Sequence, residues 1–226
     1  MAKHFLERAH IKWREGNMKT SFIYLLIDPR VSNNLPLQYS DMDKRDVWKK
    51  FIDSIFYVGK GKRSRPYSHL YDAIKLFSLE NNQLAERLEN RKNQVIEKRI
   101  IYSNTEGKND LLHQKASKKS NKVNKLQSQE SKKLATIIDI WKCQQGVVCL
   151  HIFNNIMPCE AYTREAAILE AIGIENLTNI KKGDYYGAAR NFSMRQKRQM
   201  GVGLVHRAMK VYLAEGESQL LPHDLI

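Results

Sequence analysis

The sequence predicts an α+β domain in which helices flank a small antiparallel sheet of three strands. Three short runs rich in β-branched and aromatic residues are typical of strands, at residues 21–27, 55–58 and 147–153. Elsewhere, apolar residues recur at the spacing of amphipathic helices. The chain has 226 residues, of which 42% are hydrophobic, so it is long and apolar enough to bury a core. We therefore expect residues 1–226 to form one domain with additions.

The first part of the chain contains two of the predicted strands. A short amphipathic helix is expected over residues 5–15, before the strand at 21–27, which stops at an Asp-Pro pair. A turn-rich stretch then leads to a short helix at 44–51, and the strand at 55–58 stops at two glycines. The long connection between the two strands leads us to expect an antiparallel pair.

The second part of the chain adds helices and a change in composition. Apolar spacing predicts a helix or helical pair over about residues 66–102. Residues 115–133 then hold seven lysines and one glutamate among Ser, Asn and Gln, so we expect a mobile insertion or a weak solvated helix. Further helices are predicted at 134–141 and at 159–172, the latter closed by a glycine. Residues 184–226 are expected to be a basic C-terminal extension that includes one more helix.

Charge and cysteine content limit the class of protein. Lys plus Arg number 38 against 24 Asp plus Glu, and the net charge of +14 favours a polyanionic partner such as nucleic acid or an anionic membrane surface. No run approaches the ~18 to 20 apolar residues of a membrane span, and the N-terminus lacks the apolar stretch of a signal peptide, so we expect an intracellular protein. The three cysteines fit neither a disulfide framework nor a zinc site, and we expect reduced, partly buried thiols.

Two of the predicted strands each carry a tyrosine within a short motif. The motifs read Phe22-Ile23-Tyr24 and Tyr57-Val58-Gly59, and a basic segment with Arg65 and His69 one helical turn apart follows the second. Either tripeptide alone is more typical of a tyrosine packed at the edge of a core. Together and in this order, they resemble the signature of the GIY-YIG endonucleases, with Phe in place of the first Gly and Val in place of the second Ile.

The same resemblance implies an acidic metal ligand on a later helix, and the helix at 159–172 offers Glu165 and Glu170. At about 100° per residue, Glu165 shares the apolar face that should press on the sheet, whereas Glu170 lies about 140° away around the helix. A carboxylate on a core-facing stripe is costly unless it is paired or holds a metal. Glu165 is therefore the predicted ligand, and Glu170 is expected to be a solvated surface residue.

Further segments resemble the C-terminal nuclease domain of the animal ankyrin-repeat and LEM-domain endonucleases. These segments are residues 21–30, 57–62, 65–67, 163–166, 177–179 and 184–187. Neither ankyrin repeats nor a LEM domain is present in this sequence, so we expect the nuclease module alone. The resemblance implies cleavage of branched DNA, such as Holliday (four-way) junctions and flaps. It also implies a role in DNA repair and in clearing links between chromosomes at division, in the nucleus and cytoplasm.

The resemblance also implies catalytic roles. One Mg²⁺ or Mn²⁺ held by Glu165 would polarise the scissile phosphate. Tyr24 would take the proton of the attacking water, and nearby Lys, Arg or metal charge would have to lower its pKa from the ordinary value of about 10. Tyr57 would hydrogen-bond to the same group and orient it. His69 would orient a neighbour or shuttle a proton, although a lone histidine on a helix is more often a surface or packing residue.

Arg65 is expected to grip the scissile phosphate with its planar guanidinium group. The catalytic arginine of the family often stands at a different offset from the second tyrosine, where this chain has Tyr67. We choose Arg65 because its four-residue spacing to His69 resembles the pattern of some GIY-YIG restriction enzymes, and Arg63 is the alternative. The expected contacts to neighbouring phosphates are Lys60, Lys62 and Arg63.

Two other classes of function would account for part of the sequence. A non-catalytic basic DNA-binding module would stack bases on the tyrosines, but it leaves Glu165 on the apolar stripe unexplained. A peripheral membrane protein would place the lysine run on anionic lipid, but it leaves the strand tyrosines unexplained. We therefore expect DNA as the partner, with no membrane and no small-molecule substrate.

Overall fold

In the part of the chain that the structure describes, the sheet has four antiparallel strands in the order β2-β1-β3-β4. The structure, a computed structural model, describes residues 13–82 and 124–225. The strands are β1 at Ser21–Ile27, β2 at Ile55–Gly61, β3 at Val147–Ile156 and β4 at Gln219–Leu220. The predicted α+β class and the antiparallel pairing of the first two strands are confirmed. The predicted number of three strands is wrong by one, because β4 is too short to produce an alternating pattern.

Five helices of more than two turns surround the sheet in the described residues. They are α1 at Lys44–Ser54, α2 at residues 65–82, α3 at Asn124–Lys142, α4 at Pro158–Ile172 and α5 at Met194–Glu215. Local sequence fixes several of their ends. The Asp43 carboxylate caps the start of α1, Ser193 and Gln196 form a capping box at the start of α5, and Gly173 ends α4 with a φ of 89°.

Strand β1 lies in the middle of the molecule and is buried on both faces. Ile23, Leu25 and Ile27 point to the side that carries α4 and α5, and Tyr24 and Leu26 point to the side that carries α2 and α3. All five side chains are at most 1% exposed. The alternation of a strand therefore directs the tyrosine of the first motif towards α2 and α3.

Some predicted elements differ from the observed ones. Residues 1–12 lie outside the described residues, so most of the helix predicted at 5–15 is not described. Trp13 to Glu15 belong to a turn. The helix predicted from residue 66 is confirmed as far as residue 82, and its remainder lies outside the described residues. Residues 115–123 of the predicted Lys-rich insertion also lie outside them. Residues 124–133 form the first half of α3. The helix thus already begins at Asn124, and the predicted end of the insertion at Lys133 is too late.

The C-terminal extension is part of the packed fold. Helix α5 lies so close to α4 that a Cβ on Gly201 would be 1.9 Å from the carbonyl oxygen of Ala167. After α5, the chain returns to the sheet and adds β4 to the edge of β3, with Leu220 opposite Val147. The indole N–H of Trp141 donates to the Leu220 carbonyl at 3.0 Å. Both α5 and β4 of the extension are thus packed against the core.

Two glycines of α5 provide a test of this packing. Gly201→Ala should destabilise the fold by the ~1–3 kcal/mol typical of overpacking, because the new methyl group collides with the α4 backbone. Gly203→Ala meets nothing within 4 Å and should stabilise the protein by ~0.5–1 kcal/mol, since alanine is the better helix former. Urea unfolding monitored by circular dichroism measures both changes. Equal midpoints for the two variants would contradict the close contact of α4 and α5.

Candidate active site

The two tyrosine motifs lie side by side in the sheet. Tyr24 of β1 is opposite Gly59 of β2, and a Cβ at position 59 would lie 2.2 Å from the Cζ atom of the Tyr24 ring. Only glycine leaves room for this ring. The glycine of the second motif is therefore explained by the tyrosine of the first.

The hydroxyl of Tyr24 connects two other predicted site residues. It shares a hydrogen bond of 2.9 Å with Nε2 of His69 on α2, and the Tyr24 ring lies beside that of Tyr57, with 6.0 Å between the centroids. The rings of Tyr57 and His69 meet edge to face at 5.2 Å between centroids. His69 is only 7% exposed, so it is neither a surface histidine nor a simple packing residue. The sequence motifs on β1, β2 and α2 converge on one polar network.

The pKa of Tyr24 does not follow the expected direction. Burial raises it far above the ordinary value, the neighbouring Tyr57 adds to this, and only the charge of Arg65 opposes it. Burial likewise raises the pKa of Tyr57. The expectation that nearby cations lower the pKa of Tyr24 is wrong for the protein by itself, because removal from water outweighs the charge of Arg65. Both phenols are protonated at neutral pH.

Lys133 of α3 is a site residue that the sequence analysis missed. Its ammonium nitrogen lies 2.9 Å from Nδ1 of His69 and 4.4 Å from the centre of the Tyr57 ring. Burial, then Lys133, then Arg65 lower the pKa of His69 to about 3. A signal existed, since Lys133 stands four residues before the buried Ile137 and so starts the apolar face of α3. The lysine-rich composition around it concealed that signal.

Glu165 of α4 is buried as predicted, and Lys60 is its partner. Glu165 is 8% exposed, and the Oε2 atom of its carboxylate lies 2.6 Å from the ammonium of Lys60. Burial raises the pKa of Glu165, and Lys60 opposes that rise. Lys60 also lies 4.0 Å above the ring centre of Tyr162, which the sequence analysis did not single out. Lys60, expected on a phosphate, is thus held by the carboxylate in this structure.

Glu170 lies elsewhere on α4 and faces a different neighbour. Its carboxylate is 3.8 Å from the guanidinium of Arg198 on α5, in a separate surface depression. The two glutamates thus have different surroundings, as the helical-face argument predicted. The expectation that Glu170 is a solvated surface residue is wrong, because its side chain is only 22% exposed and is paired with Arg198.

A cleft of about 460 Å³ brings most of these groups together. Its wall includes Tyr57, Lys60, Arg65, His69, Lys133, Tyr162, Glu165 and residues 178–184. Tyr24 lies behind Tyr57, at 1% exposure. Of the two candidate arginines, Arg65 lines the cleft, whereas Arg63 is exposed outside it. Lys62 lines an adjoining depression that Arg65 also reaches.

The segment after α4 forms one side of the cleft. The side-chain amide of Asn179 accepts from the backbone N–H of Val58 at 3.0 Å and donates to its carbonyl at 2.8 Å, as a neighbouring strand would. This holds the free edge of β2 next to the cleft. Lys181, Lys182 and Asp184 follow along the same wall. The Leu-Thr-Asn string at 177–179 was part of the sequence resemblance, but no argument from the residues gave it this role.

The cleft suits a divalent cation of the magnesium type. No group of three or more His, Cys, Asp or Glu side chains converges within residues 13–82 and 124–225. A single buried carboxylate that faces an open cleft nevertheless fits Mg²⁺ or Mn²⁺, since such ions often bind one or two carboxylates and complete their shell with waters and substrate phosphates. Glu165 is the carboxylate that would hold the ion.

Comparison with known proteins gives consistent matches. The sequence matches the family described as "LEM-3-like GIY-YIG domain" over residues 21–107 and 103–226. It is 39% and 36% identical to the "Ankyrin repeat and LEM domain-containing protein 1" of Homo sapiens and of Mus musculus, over 95% of this chain. The Caenorhabditis elegans homolog of that protein is 30% identical over 87% of this chain. The chain spans 28%, 32% and 21% of these three relatives, respectively. No solved structure matches it significantly.

Burial of His69 and its contact with Lys133 predict that the imidazole is uncharged. Because its pKa is lowered to about 3 from 6.5, His69 should stay neutral from pH 8 to below pH 5, as seen by NMR of its ring nitrogens. The folded state therefore binds this proton at a lower pH than the unfolded chain does. The free energy of unfolding should fall as pH drops below about 6.5.

Lys133→Gln should raise the pKa of His69 because a neighbouring positive charge is lost. Lys132→Gln is the matched control, since Lys132 is exposed on the same turn of α3 and should leave that pKa unchanged. Titration of the same NMR signals measures both. Identical His69 titrations in the two variants would show that Lys133 does not act on the imidazole.

Proposed function

The chain belongs to the LEM-3-like GIY-YIG family, and on that premise we propose that it is a metal-dependent endodeoxyribonuclease acting on branched DNA. Family membership supports a nuclease role. The observation that carries the proposal is the cleft with the network behind it, which joins two phenols, an imidazole, an arginine and a buried glutamate contributed by four separate elements. A basic DNA-binding module without catalysis has no use for a buried carboxylate and histidine at that place.

The proposed substrate is a four-way junction or a flap. A net charge of +14 favours a phosphate-rich partner, and cations on both walls of the cleft are suited to neighbouring phosphates. The described residues include no helix that could cross a bilayer. The sequence resemblance leads us to propose in addition that cutting serves DNA repair and the separation of linked chromosomes, in the nucleus and cytoplasm.

The proposed proton path starts from the water that attacks the phosphorus. Tyr57 lines the cleft, and Tyr24 connects it to His69. Lys133 can only donate, so in the described structure Nδ1 of His69 accepts and Nε2 carries the proton of the neutral ring. Once a substrate phosphate draws Lys133 away and the ring proton moves to Nδ1, Nε2 is free to accept. As the water oxygen bonds to phosphorus, its proton then passes to Tyr57, the Tyr57 proton to Tyr24, and the Tyr24 proton to Nε2 of His69. Neutral phenols can serve in this way without first ionising, which agrees with their raised pKa values.

The charge of the substrate assists this path. In the protein by itself, Lys133 and Arg65 help to lower the pKa of His69 to about 3, which makes the imidazole a weak base. A phosphate bound between these cations would offset their charge and so raise the pKa of the imidazole. We propose that His69 becomes an effective proton acceptor only when substrate fills the cleft.

Arg65 and Glu165 complete the proposed mechanism. The Arg65 guanidinium would bind the non-bridging oxygens of the scissile phosphate and stabilise the charge that grows there. Glu165 would hold one Mg²⁺ or Mn²⁺. The ion, when bound, would act as a Lewis acid for the phosphate and the leaving 3′ oxygen. Lys62 and Arg63, next to the cleft, would contact adjacent phosphates.

The two glutamates of α4 supply the first test. Glu165→Gln should abolish Mg²⁺-dependent cutting of a labelled four-way junction and leave DNA binding near wild type, since binding rests on many cations. Glu170→Gln should keep normal activity, because Glu170 pairs with Arg198 outside the cleft. Linear duplex and EDTA reactions are run in parallel. Cutting that persists in EDTA, or inactivity confined to Glu170→Gln, would refute the metal site at Glu165.

Loss of the Tyr24 hydroxyl tests the proton path. Tyr24→Phe fills the same space opposite Gly59 and should fold normally, but it breaks the path to His69, so single-turnover cutting should slow by ~10²- to 10⁴-fold. Tyr71→Phe, on the exposed side of α2, should cut at the normal rate. Thermal melts check that both variants are folded. A normal rate for Tyr24→Phe would limit Tyr24 to a structural role.

A further inference from the structure

Lys60 forms an ion pair with Glu165, the carboxylate that is proposed to bind the metal. Its ammonium lies 2.6 Å from Oε2 of Glu165, and the two side chains are only 25% and 11% exposed. A carboxylate buried to this extent requires a positive partner, because the desolvation cost of a lone charge is large. In the described structure, Lys60 is that partner.

A metal ion and the ammonium compete for this position. A divalent ion bound to Glu165 at the usual ~2.1 Å would lie within a few ångströms of Lys60, and at that distance two cations in a partly buried cleft repel each other strongly. One of them has to move. Lys60 can move because its end lies at the wall of an open cleft, although its ammonium then leaves its position 4.0 Å above the centre of the Tyr162 ring.

We propose that Lys60 is an exchangeable counter-ion of Glu165, which a divalent cation displaces and which a DNA phosphate then receives. This inference rests on the metal role of Glu165 in the proposed function. A phosphate that enters the cleft draws Lys60 away from the carboxylate and lowers the cost of metal binding. Metal and DNA therefore bind cooperatively, and each raises the affinity for the other by the same factor. The free protein binds the metal weakly for this reason.

The test measures Mn²⁺ affinity in the protein without DNA, by the EPR signal of free Mn²⁺. The Mn²⁺ binding that is lost in Glu165→Gln is assigned to the site at Glu165. Lys60→Met keeps an unbranched, flexible side chain that is one atom shorter but removes the charge, so it should tighten this binding about tenfold or more, within the ~5- to 150-fold range of coupled sites. Lys62→Met is the matched control, because its ammonium is 3.9 Å from Glu15 and not from Glu165.

The outcomes separate the two proposals. If Glu165→Gln removes a Mn²⁺ site and Lys60→Met leaves its affinity equal or weaker, Lys60 is a fixed structural partner and the counter-ion inference is overturned, while the metal role of Glu165 stands. If Glu165→Gln changes nothing, the metal role itself fails. Tightening in Lys60→Met and none in Lys62→Met supports the exchange.

A second measurement guards against a variant that folds poorly, since Lys60→Met leaves a buried carboxylate uncompensated. In the Tyr24→Phe background, which should cut slowly, adding a four-way junction should raise Mn²⁺ affinity. The Lys60→Gln change, made in the same background, should reduce that gain. Thermal melts with and without Mn²⁺ identify the folded fraction. An equal gain with and without Lys60 would show that DNA promotes metal binding by another route.

Discussion

The ring of Tyr24 occupies the space that any side chain at position 59 would fill. This contact between β1 and β2 requires glycine at position 59 and sets the register of the two strands. It also places the hydroxyl of Tyr24 next to His69 on α2. Because β1 is buried on both faces, the ring has no alternative position that would not open the core. The tyrosine is therefore a core residue and a member of the polar network at once, and the burial that holds it in place also keeps its phenol protonated.

The cleft next to this network has an excess of positive charge in the absence of substrate. Lys60 neutralises Glu165, whereas Lys133 and Arg65 lie beside a histidine that burial already keeps neutral. In the proposed function, phosphates that enter the cleft would balance this charge. The same cations would attract a nucleic acid and keep His69 a weak base until one arrives.

Patterns within single elements could be predicted from the sequence, and contacts between distant segments could not. The strands and α4 have clear periodicity, so the strand positions of Tyr24 and Tyr57 and the face of Glu165 could be predicted from local rules. The choice of these two tyrosines as site residues came from the resemblance to the GIY-YIG signature. The pairing of Lys60 with Glu165 joins residues 105 positions apart, and Lys133 reaches His69 across 64. Composition near Lys133 predicted a solvated segment, because lysines in a helix that packs on a core look the same in sequence as lysines in a loop.

The short strand β4 has a consequence for handling the protein. It covers the outer edge of β3, and the carbonyl of Leu220 accepts from the Trp141 indole while the side chain of Gln219 accepts from the backbone N–H of Gly146. A protein shortened at the end of α5 would leave unpaired N–H and C=O groups along β3. Such an edge is a template for strand pairing between molecules. Shortened versions of the protein for expression or crystallisation should therefore keep residues 216–225, and an affinity tag is better separated from them by a flexible spacer.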